Sequence, residues 1–300
     1  MPDLRYIVHN KIEYWGFRLF LITMKSLPRQ LSRAIILGMF QLVGYRIGIR
    51  REVARLQMSK VLIDRTSAQI RLLLRSMYRN MALSTYESLL LTNEQILAIS
   101  SEQGIIHAKS ALELGKGALI ATAHFGSWEA ARVLPALGIP LAVVAKTQRN
   151  VYFDDYNNRV RESNGVVVID MKKALRGITE QLRLNKMVAI LVDQNAGSKG
   201  LVMDFLGYPA SHWKGVAKMS LRLKVPIVPT FALRTPEDKL IFRFEPMIYH
   251  PDWEDTEANI LHVMQEIDTI LESYIRQYPE QWFWVHKRWK HSFDMFKESN

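Results

Sequence analysis

The feature that most constrains the fold is a change of pattern near residue 108. Beyond this point the 300-residue sequence alternates short apolar runs with helical stretches. The apolar runs that are candidate strands lie at 118–123, 141–144, 166–169, 187–193, 227–233 and 241–244. Strands separated by helices are typical of a sheet covered by helices on its faces. The sequence therefore predicts an α/β unit built on a central mixed sheet that is flanked by helices.

The residues before this unit have a different character. Between residues 50 and 91 apolar side chains recur every three or four positions among many arginines, which indicates helices. Residues 1–79 contain 15 Lys and Arg but only 4 Asp and Glu, whereas residues 80–300 contain 25 of each. The whole net charge of +11 thus lies in a helical first quarter. Such an excess favours an anionic partner.

Two apolar stretches in this quarter, at 15–24 and 34–49, indicate contact with a membrane. Charged residues such as Arg18 and Arg46 interrupt them, and a span needs about 20 apolar residues, so neither is a clean span. Apolar and aromatic residues among many cations are typical of a helix lying in the interface of an anionic bilayer. A solvated basic face over a helical core is the alternative. We expect a basic, membrane-associating region at residues 1–100 and a catalytic α/β domain at 101–300.

Several common kinds of chemistry are excluded by the sequence. The chain has no cysteine, so it has no disulfide, thiolate metal site or cysteine nucleophile. It contains no G-x-S-x-G elbow, no phosphate-binding G-x-x-x-x-G-K-[ST] loop, no G-x-G-x-x-G and no H-E-x-x-H. It also lacks zinc-finger spacing, an aromatic RNA-binding motif and a basic zipper, so nucleic acid is not an expected partner.

One constellation remains. His124 follows the apolar run 118–123 directly, and Glu129 follows it five positions later. Within one helix that step rotates two side chains by about 140°, so the pair needs a bend between them. Gly126 supplies a bend, and Ser127 is a plausible N-cap for the helix that follows. His124 is then expected to act as a general base, with Glu129 holding its other ring nitrogen. A core histidine held by a nearby carboxylate is the structural alternative.

The segment around His124 resembles the first conserved block of the lipid A biosynthesis acyltransferases, the lauroyl- and myristoyltransferases of the glycerolipid acyltransferase superfamily. Further blocks that are similar to this family follow in the family's order. The matching blocks are GKGALIATAHFGSWE at 115–129, RVRESNG at 159–165, VDQN at 192–195, DFLGYPA at 204–210, VPIVP at 225–229 and PEQWFWVHKRWK at 279–290.

The resemblance implies a role for individual residues. It implies His124 as general base with Glu129 as its partner. It implies substrate-binding roles for a second set of residues, namely Arg159, Arg161, Asp193, Gln194, Phe205 and Gly207. The arginines would hold an anionic group of the acceptor or donor, and Asp193 would orient a substrate hydroxyl or pair with an arginine. Phe205 and Gly207 would shape the wall near the acceptor, or else form only a turn in the core.

The resulting hypothesis is an acyltransferase that moves a fatty acyl chain from acyl carrier protein or acyl-CoA to a hydroxyl of a membrane glycolipid. A lipid A precursor is the leading acceptor class. The expected location is the cytoplasmic face of the bacterial inner membrane, through peripheral attachment or a single N-terminal anchor. No metal and no tightly bound cofactor are implied. The alternatives are a lysophospholipid or phosphoinositide mannoside acceptor, and a non-catalytic basic protein that binds membranes or RNA.

Overall fold

The computed structural model describes residues 4–290 of the chain, with side chains from residue 6 onward. The described part begins with helices, which are, in order, α1 (Leu4–Ser26), α2 (Arg29–Met39), a π-helical segment (Phe40–Arg46), α3 (Arg51–Val61) and α4 (Ser67–Leu90). Pro28 separates α1 from α2, since proline cannot continue a helix. Thr66 and Gln69 form a reciprocal capping box at the start of α4. The helical prediction for the first quarter is confirmed.

Strands and helices then alternate. In chain order they are α5 (Asn93–Ala98), β1 (Ser100–Gln103), α6 (Ile105–Glu113), β2 (Ala118–Thr122), a 3₁₀ helix (Trp128–Leu137), β3 (Leu141–Ala145), α7 (Val151–Glu162), β4 (Val167–Asp170), a 3₁₀ turn (Met171–Lys173), α8 (Ala174–Arg183), β5 (Met187–Leu191), a 3₁₀ turn (Gly197–Lys199), β6 (Leu201–Phe205), β7 (Tyr208–His212), α9 (Gly215–Leu223), β8 (Ile227–Arg234), β9 (Leu240–Phe244), α10 (Glu257–Gln277) and a 3₁₀ turn (Pro279–Gln281).

Seven of these strands form the central sheet, in the order β1-β9-β8-β2-β5-β3-β4. Only β8 and β9 pair antiparallel, so the prediction of a mixed sheet is confirmed. The six predicted strands are all present, and β2 and β8 are nearly continuous buried apolar runs, as expected of strands covered on both faces. Strands β2, β3, β4, β5 and β8 end at the same side of the sheet, which we name the carboxyl edge.

The helical first quarter shares its core with the sheet. Met58 of α3 and Met77 of α4 belong to the same buried cluster as Leu119 of β2 and Trp284 near the chain end. The division at residues 100 and 101 stays a prediction, and parts of both regions, residues 1–3 and 291–300, lie outside the described residues. Within residues 4–290 no helix combines the length and the hydropathy that are needed to cross a membrane.

The segment after α10 is buried against α3. Trp282, Trp284 and Trp289 lie in the core. Gln57 of α3 fixes this segment with its side-chain amide. Its Nε2 donates to the carbonyl oxygens of Trp284 at 2.6 Å and His286 at 2.9 Å, and its Oε1 accepts from the backbone N–H of Arg288 at 2.9 Å.

This clamp predicts a large effect of a single substitution. Gln57→Leu removes three hydrogen bonds and leaves the carbonyl oxygen of Trp284 without its partner, whereas His286 and Arg288 keep a backbone hydrogen bond to each other. A buried group without a partner costs about 1–3 kcal/mol, so we expect the free energy of unfolding in urea to fall by about 1–3 kcal/mol. Gln265→Leu, at an exposed position of α10, is the control and should change stability by about 0.5 kcal/mol or less. Equal stability of the two variants would contradict the clamp.

Candidate active site

His124 lies on a sharp elbow at the carboxyl edge. Strand β2 ends at Thr122, and the chain then reverses at Gly126, whose φ is +55°. A Cβ at Gly126 would lie 2.0 Å from the carbonyl oxygen of Ala232, so only glycine fits this close approach. Backbone hydrogen bonds to β8 and to the C-terminal segment hold both sides of the elbow. The predicted bend is confirmed, and it places the imidazole at the mouth of a cavity.

The hydrogen-bond partner of the imidazole is Asp193. Nδ1 of His124 lies 2.9 Å from Oδ1 of Asp193, while Oδ2 accepts the backbone N–H of His124 at 3.0 Å and the indole N–H of Trp282 at 2.9 Å. Asp193 comes two residues after β5, the neighbour of β2 in the sheet, which explains why two residues 69 positions apart meet. The expected pairing of Asp193 with an arginine is therefore wrong, since its carboxylate holds the histidine, and its role toward a substrate hydroxyl stays a prediction.

The contact between His124 and Asp193 raises the pKa of the histidine and lowers the pKa of the aspartate. Burial alone would lower the pKa of His124, but the charge of Asp193 and the hydrogen bond to it outweigh burial and raise that pKa. Burial alone would raise the pKa of Asp193, but His124 and the N–H of Trp282 lower it. The ionised carboxylate of Asp193 accepts a hydrogen bond from Nδ1–H, so the lone pair of the neutral imidazole is on Nε2.

The Nε2 side of the ring faces the cavity. Gln194 Nε2 lies 3.3 Å from His124 Nε2, and both residues line the cavity. The rings of Trp128 and Phe283 pack against the imidazole with centroid distances of 5.2 and 5.7 Å. These contacts fix the ring while leaving Nε2 accessible. Gln194 thus lies beside His124 at the cavity, and its predicted role in binding substrate stays a prediction.

Glu129 contacts Arg161 instead of His124. Arg161 donates from Nη2 to Oε1 at 2.6 Å and from Nε to Oε2 at 3.2 Å, a bidentate pair at the cavity wall. The expected hydrogen bond between Glu129 and the imidazole is wrong, because the carboxylate has a better partner in the planar guanidinium. The charge of Glu129 still contributes to raising the pKa of His124.

The remaining predicted residues lie away from the cavity. Arg159 forms an exposed ion pair with Asp155 at 2.7 Å, because residues two apart on a helix point about 200° apart and Arg161 takes the inward side. Phe205 is buried in the core, and Gly207, with φ of +86°, forms with Leu206 the two-residue turn between β6 and β7. The substrate-wall assignment of Phe205 and Gly207 is therefore not met, and the alternative of a core turn describes them.

A buried ion pair supports the elbow from behind. Ser127 was expected to cap the following helix, but its hydroxyl donates to Oε2 of Glu87 at 2.6 Å and makes no cap. The carboxylate of Glu87 in α4 in turn accepts hydrogen bonds from both terminal nitrogens of Arg234, at 2.5 and 2.7 Å. Sequence reasoning missed this triad, because its members lie 40 and 147 positions apart and no spacing links them.

The cavity is about 640 Å³ in volume and opens at the carboxyl edge. The inner part of the cavity lies between the sheet and the 3₁₀ helix 128–137 and has apolar walls. The residues that line this part include Ile120, Leu134, Leu141, Val143, Val166 and Phe242. Polar groups gather at the mouth and include Lys146, His124, Gln194 and Arg161. A ligand with a long apolar chain and a polar reacting end matches this division. Among residues 4–290 no cluster of His, Asp and Glu is arranged to hold a metal ion.

Comparison with known proteins identifies the family. The profile of the bacterial lipid A biosynthesis acyltransferases matches residues 5–291. The chain belongs to this family, and the resemblance seen in the sequence is confirmed.

More distant relatives also match. Phosphatidylinositol mannoside acyltransferases of Mycobacterium tuberculosis and Mycolicibacterium smegmatis are each 24% identical over 62% of this chain. These matches span 58% and 60% of the relatives' own length. The crystal structure of a 1-acyl-sn-glycerophosphate acyltransferase from Thermotoga maritima aligns with 83% of this chain and 99% of that chain, at 10% identity and a TM-score of 0.39.

The geometry predicts which carboxylate controls the imidazole. Asp193→Asn removes the negative charge that stabilises the imidazolium, while the desolvation of the buried ring remains, so the His124 pKa should fall below its ordinary value of about 6.5. Glu129→Gln should lower that pKa less. NMR titration of the imidazole resonances, assigned with His124→Gln, measures both shifts. A larger fall in Glu129→Gln would contradict the assignment of Asp193 as the principal partner.

Proposed function

We propose that the protein transfers a fatty acyl group from a thioester to a hydroxyl of a membrane lipid, and that the acceptor is a lipid A precursor. The observation that carries the proposal is the pair of His124 and Asp193 at the mouth of a large apolar cavity. Membership of the lipid A biosynthesis acyltransferase family supports it. The donor thioester is that of acyl carrier protein or of acyl-CoA.

The chemistry follows from the tautomer of His124. Nε2 takes the proton from the acceptor hydroxyl as its oxygen attacks the thioester carbonyl. Collapse of the tetrahedral intermediate expels the thiolate, which then takes the proton from Nε2. Asp193 stabilises the imidazolium between these two steps and keeps Nδ1 protonated. The enzyme needs no nucleophile of its own.

The cavity is suited to the acyl chain. A volume of about 640 Å³ lies in the range of about 300–1,000 Å³ that is usual for ligand sites. Each methylene that leaves water for an apolar wall contributes about 0.8 kcal/mol. The chain would lie along the sheet and hold the thioester carbonyl near His124.

The ion pair of Glu129 and Arg161 holds the positive guanidinium of Arg161 at the mouth of the cavity. Glu129 orients the guanidinium and Asn158 accepts from its Nη1 at 3.2 Å, so the arginine is held against the cavity wall. We propose that Arg161 binds an anionic group of the acceptor or of the donor. That group would share the guanidinium with Glu129 or take the place of Glu129 as its partner. Glu129 is then a positioning residue.

Helix α1 supplies a surface for membrane attachment. Val8, Ile12, Trp15, Leu19 and Ile22 recur at steps of four and three and are 48–67% exposed, so they form one apolar stripe, here named the α1 stripe. Other α1 side chains pack on α7: the Phe17 and Phe153 rings, for example, lie 4.7 Å apart. An exposed apolar stripe in a strongly basic region suits the interface of an anionic bilayer. We place the protein on the cytoplasmic face of the bacterial inner membrane.

A phosphatidylinositol mannoside is the second candidate acceptor, because the curated relatives that match carry that activity in their names. A lysophospholipid acceptor remains in the comparison panel. The non-catalytic alternative, a basic protein that binds membranes or RNA, predicts no transfer to any acceptor.

Acyl transfer tests the proposal directly. Protein with labelled acyl-acyl carrier protein or acyl-CoA and vesicles containing each acceptor should acylate the lipid A precursor. His124→Ala should abolish transfer and Asp193→Asn should lower kcat by about 10²–10⁴-fold, because each removes part of the general base. His262→Ala, an exposed histidine on α10, is the control and should keep full activity. Full transfer by His124→Ala would refute the proposed base.

The α1 stripe gives a separate prediction for membrane binding. Ile12→Asp should weaken co-sedimentation with anionic vesicles at least about tenfold, since a charge enters the apolar contact. Ile106→Asp, at a comparably exposed isoleucine of α6, is the matched control and should bind like the parent protein. Equal loss in both variants would show that the stripe has no special role.

A further inference from the structure

A short segment at the carboxyl edge combines exposed apolar side chains with unpaired cations. It begins directly after β4 and comprises the 3₁₀ turn Met171–Lys173 and the first turn of α8. Met171 is exposed and also lines the cavity that contains His124, and Leu175 is 64% exposed. We name residues 171–176 the rim segment.

The cations of the rim segment have no acidic partner within the described residues. Lys172, Lys173 and Arg176 are exposed, and none of them pairs with a carboxylate among residues 4–290. The adjacent carboxylate, Asp170, accepts the backbone N–H of Lys172 at 3.0 Å and so caps the turn. Residues 80–300 are neutral in sum, but these three cations lie within five consecutive positions, so the positive charge is concentrated at this rim.

Trp213 extends this surface across the mouth. Its indole is 44% exposed and lines the same cavity as Met171. Exposed tryptophan, methionine and leucine beside lysine and arginine are typical of protein surfaces that enter the headgroup region of a bilayer.

The rim segment is separate from the α1 stripe. The connection from β3 to β4 through α7 moves toward the β4 edge of the sheet, and the connection from β4 to β5 through α8 moves back toward its centre. Because both connections are right-handed but run in opposite directions, α7 and α8 lie on opposite faces of the sheet. Helix α1 packs on the side of α7, where Asn150 donates to the carbonyl oxygen of Asn10 at 2.9 Å. The cavity mouth therefore has α1 on one side and the rim segment on the other.

We infer that the rim segment and Trp213 form a second lipid-contacting surface, which seats the mouth of the cavity on a bilayer with anionic headgroups. This inference rests on the proposed function for its purpose, since a lipid acceptor could then reach His124 without leaving the membrane. The contact itself is testable without any turnover. The apolar side chains around the opening favour lipid over an acidic protein as the occupant.

Helix α8 provides its own control. Leu184, at its other end, is 61% exposed and lies at the opposite edge of the sheet, next to Asn185, which accepts from the N–H of Gly117 just before β2. Leu175 and Leu184 are thus the same residue type at the two ends of α8, with similar exposures of 64% and 61%. Because the chain has no cysteine, one residue at a time can be labelled specifically.

The experiment uses the full chain with Leu175→Cys or Leu184→Cys, each carrying an environment-sensitive fluorophore. On adding vesicles of phosphatidylglycerol and phosphatidylcholine, the label at 175 should shift to the blue and be quenched by a bilayer-embedded quencher. The label at 184 should do neither. Equal responses at the two positions, or no response at 175 while the protein is vesicle-bound, would overturn the inference.

Charge reversal gives the second measurement. Lys172→Glu and Lys173→Glu should each weaken binding to these vesicles about fivefold, with little effect on binding to phosphatidylcholine alone. Arg183→Glu, an exposed arginine at the far end of α8, should bind as the parent does. Unchanged vesicle binding together with a raised KM for acyl carrier protein, but not for acyl-CoA, would refute the lipid contact and assign the cations to docking of an acidic protein. Because vesicle binding is measured without turnover, failure of acyl transfer would leave this result interpretable.

Discussion

The carboxylate of Asp193 joins three segments that are far apart in sequence. It accepts from the ring and the backbone of His124 at the end of β2, it follows β5 itself, and it accepts from Trp282 in the C-terminal segment. A buried charge is strongly unfavourable unless hydrogen bonds satisfy it, so these three segments must stay together. The contact that secures the junction also fixes the tautomer of His124. The packing of these segments and the tautomer of His124 therefore depend on the same group.

The N-terminal helices α3 and α4 also contact this junction. Glu87 of α4 holds Ser127 in the elbow and pairs with Arg234 of β8, all in the core. Gln57 of α3 fixes the segment that carries Trp282. A displacement of these helices would therefore reach His124 through two buried polar contacts.

The sequence predicted what depends on local pattern and missed what depends on the order of strands. The central strands were found because both of their faces are buried, and the elbow was found because a Gly-Ser pair follows a strand. The partner of His124 was missed, since nothing local indicates that β5 lies beside β2. Glu129 was chosen for its nearness in sequence, whereas Arg161 competes for it in space. The hairpin of β6 and β7 was missed because Leu206 adopts a positive φ that is rare for leucine.

Net charge describes this protein poorly without the fold. The sequence assigns the whole excess of +11 to residues 1–79, and the remainder sums to zero. In the folded chain two acidic groups at the cavity are already engaged: Glu129 with Arg161 and Asp193 with His124. Cations at the start of α8 are left without such partners among residues 4–290. The part of the chain that is neutral in sum, residues 80–300, thus presents a positive rim at the opening of the cavity.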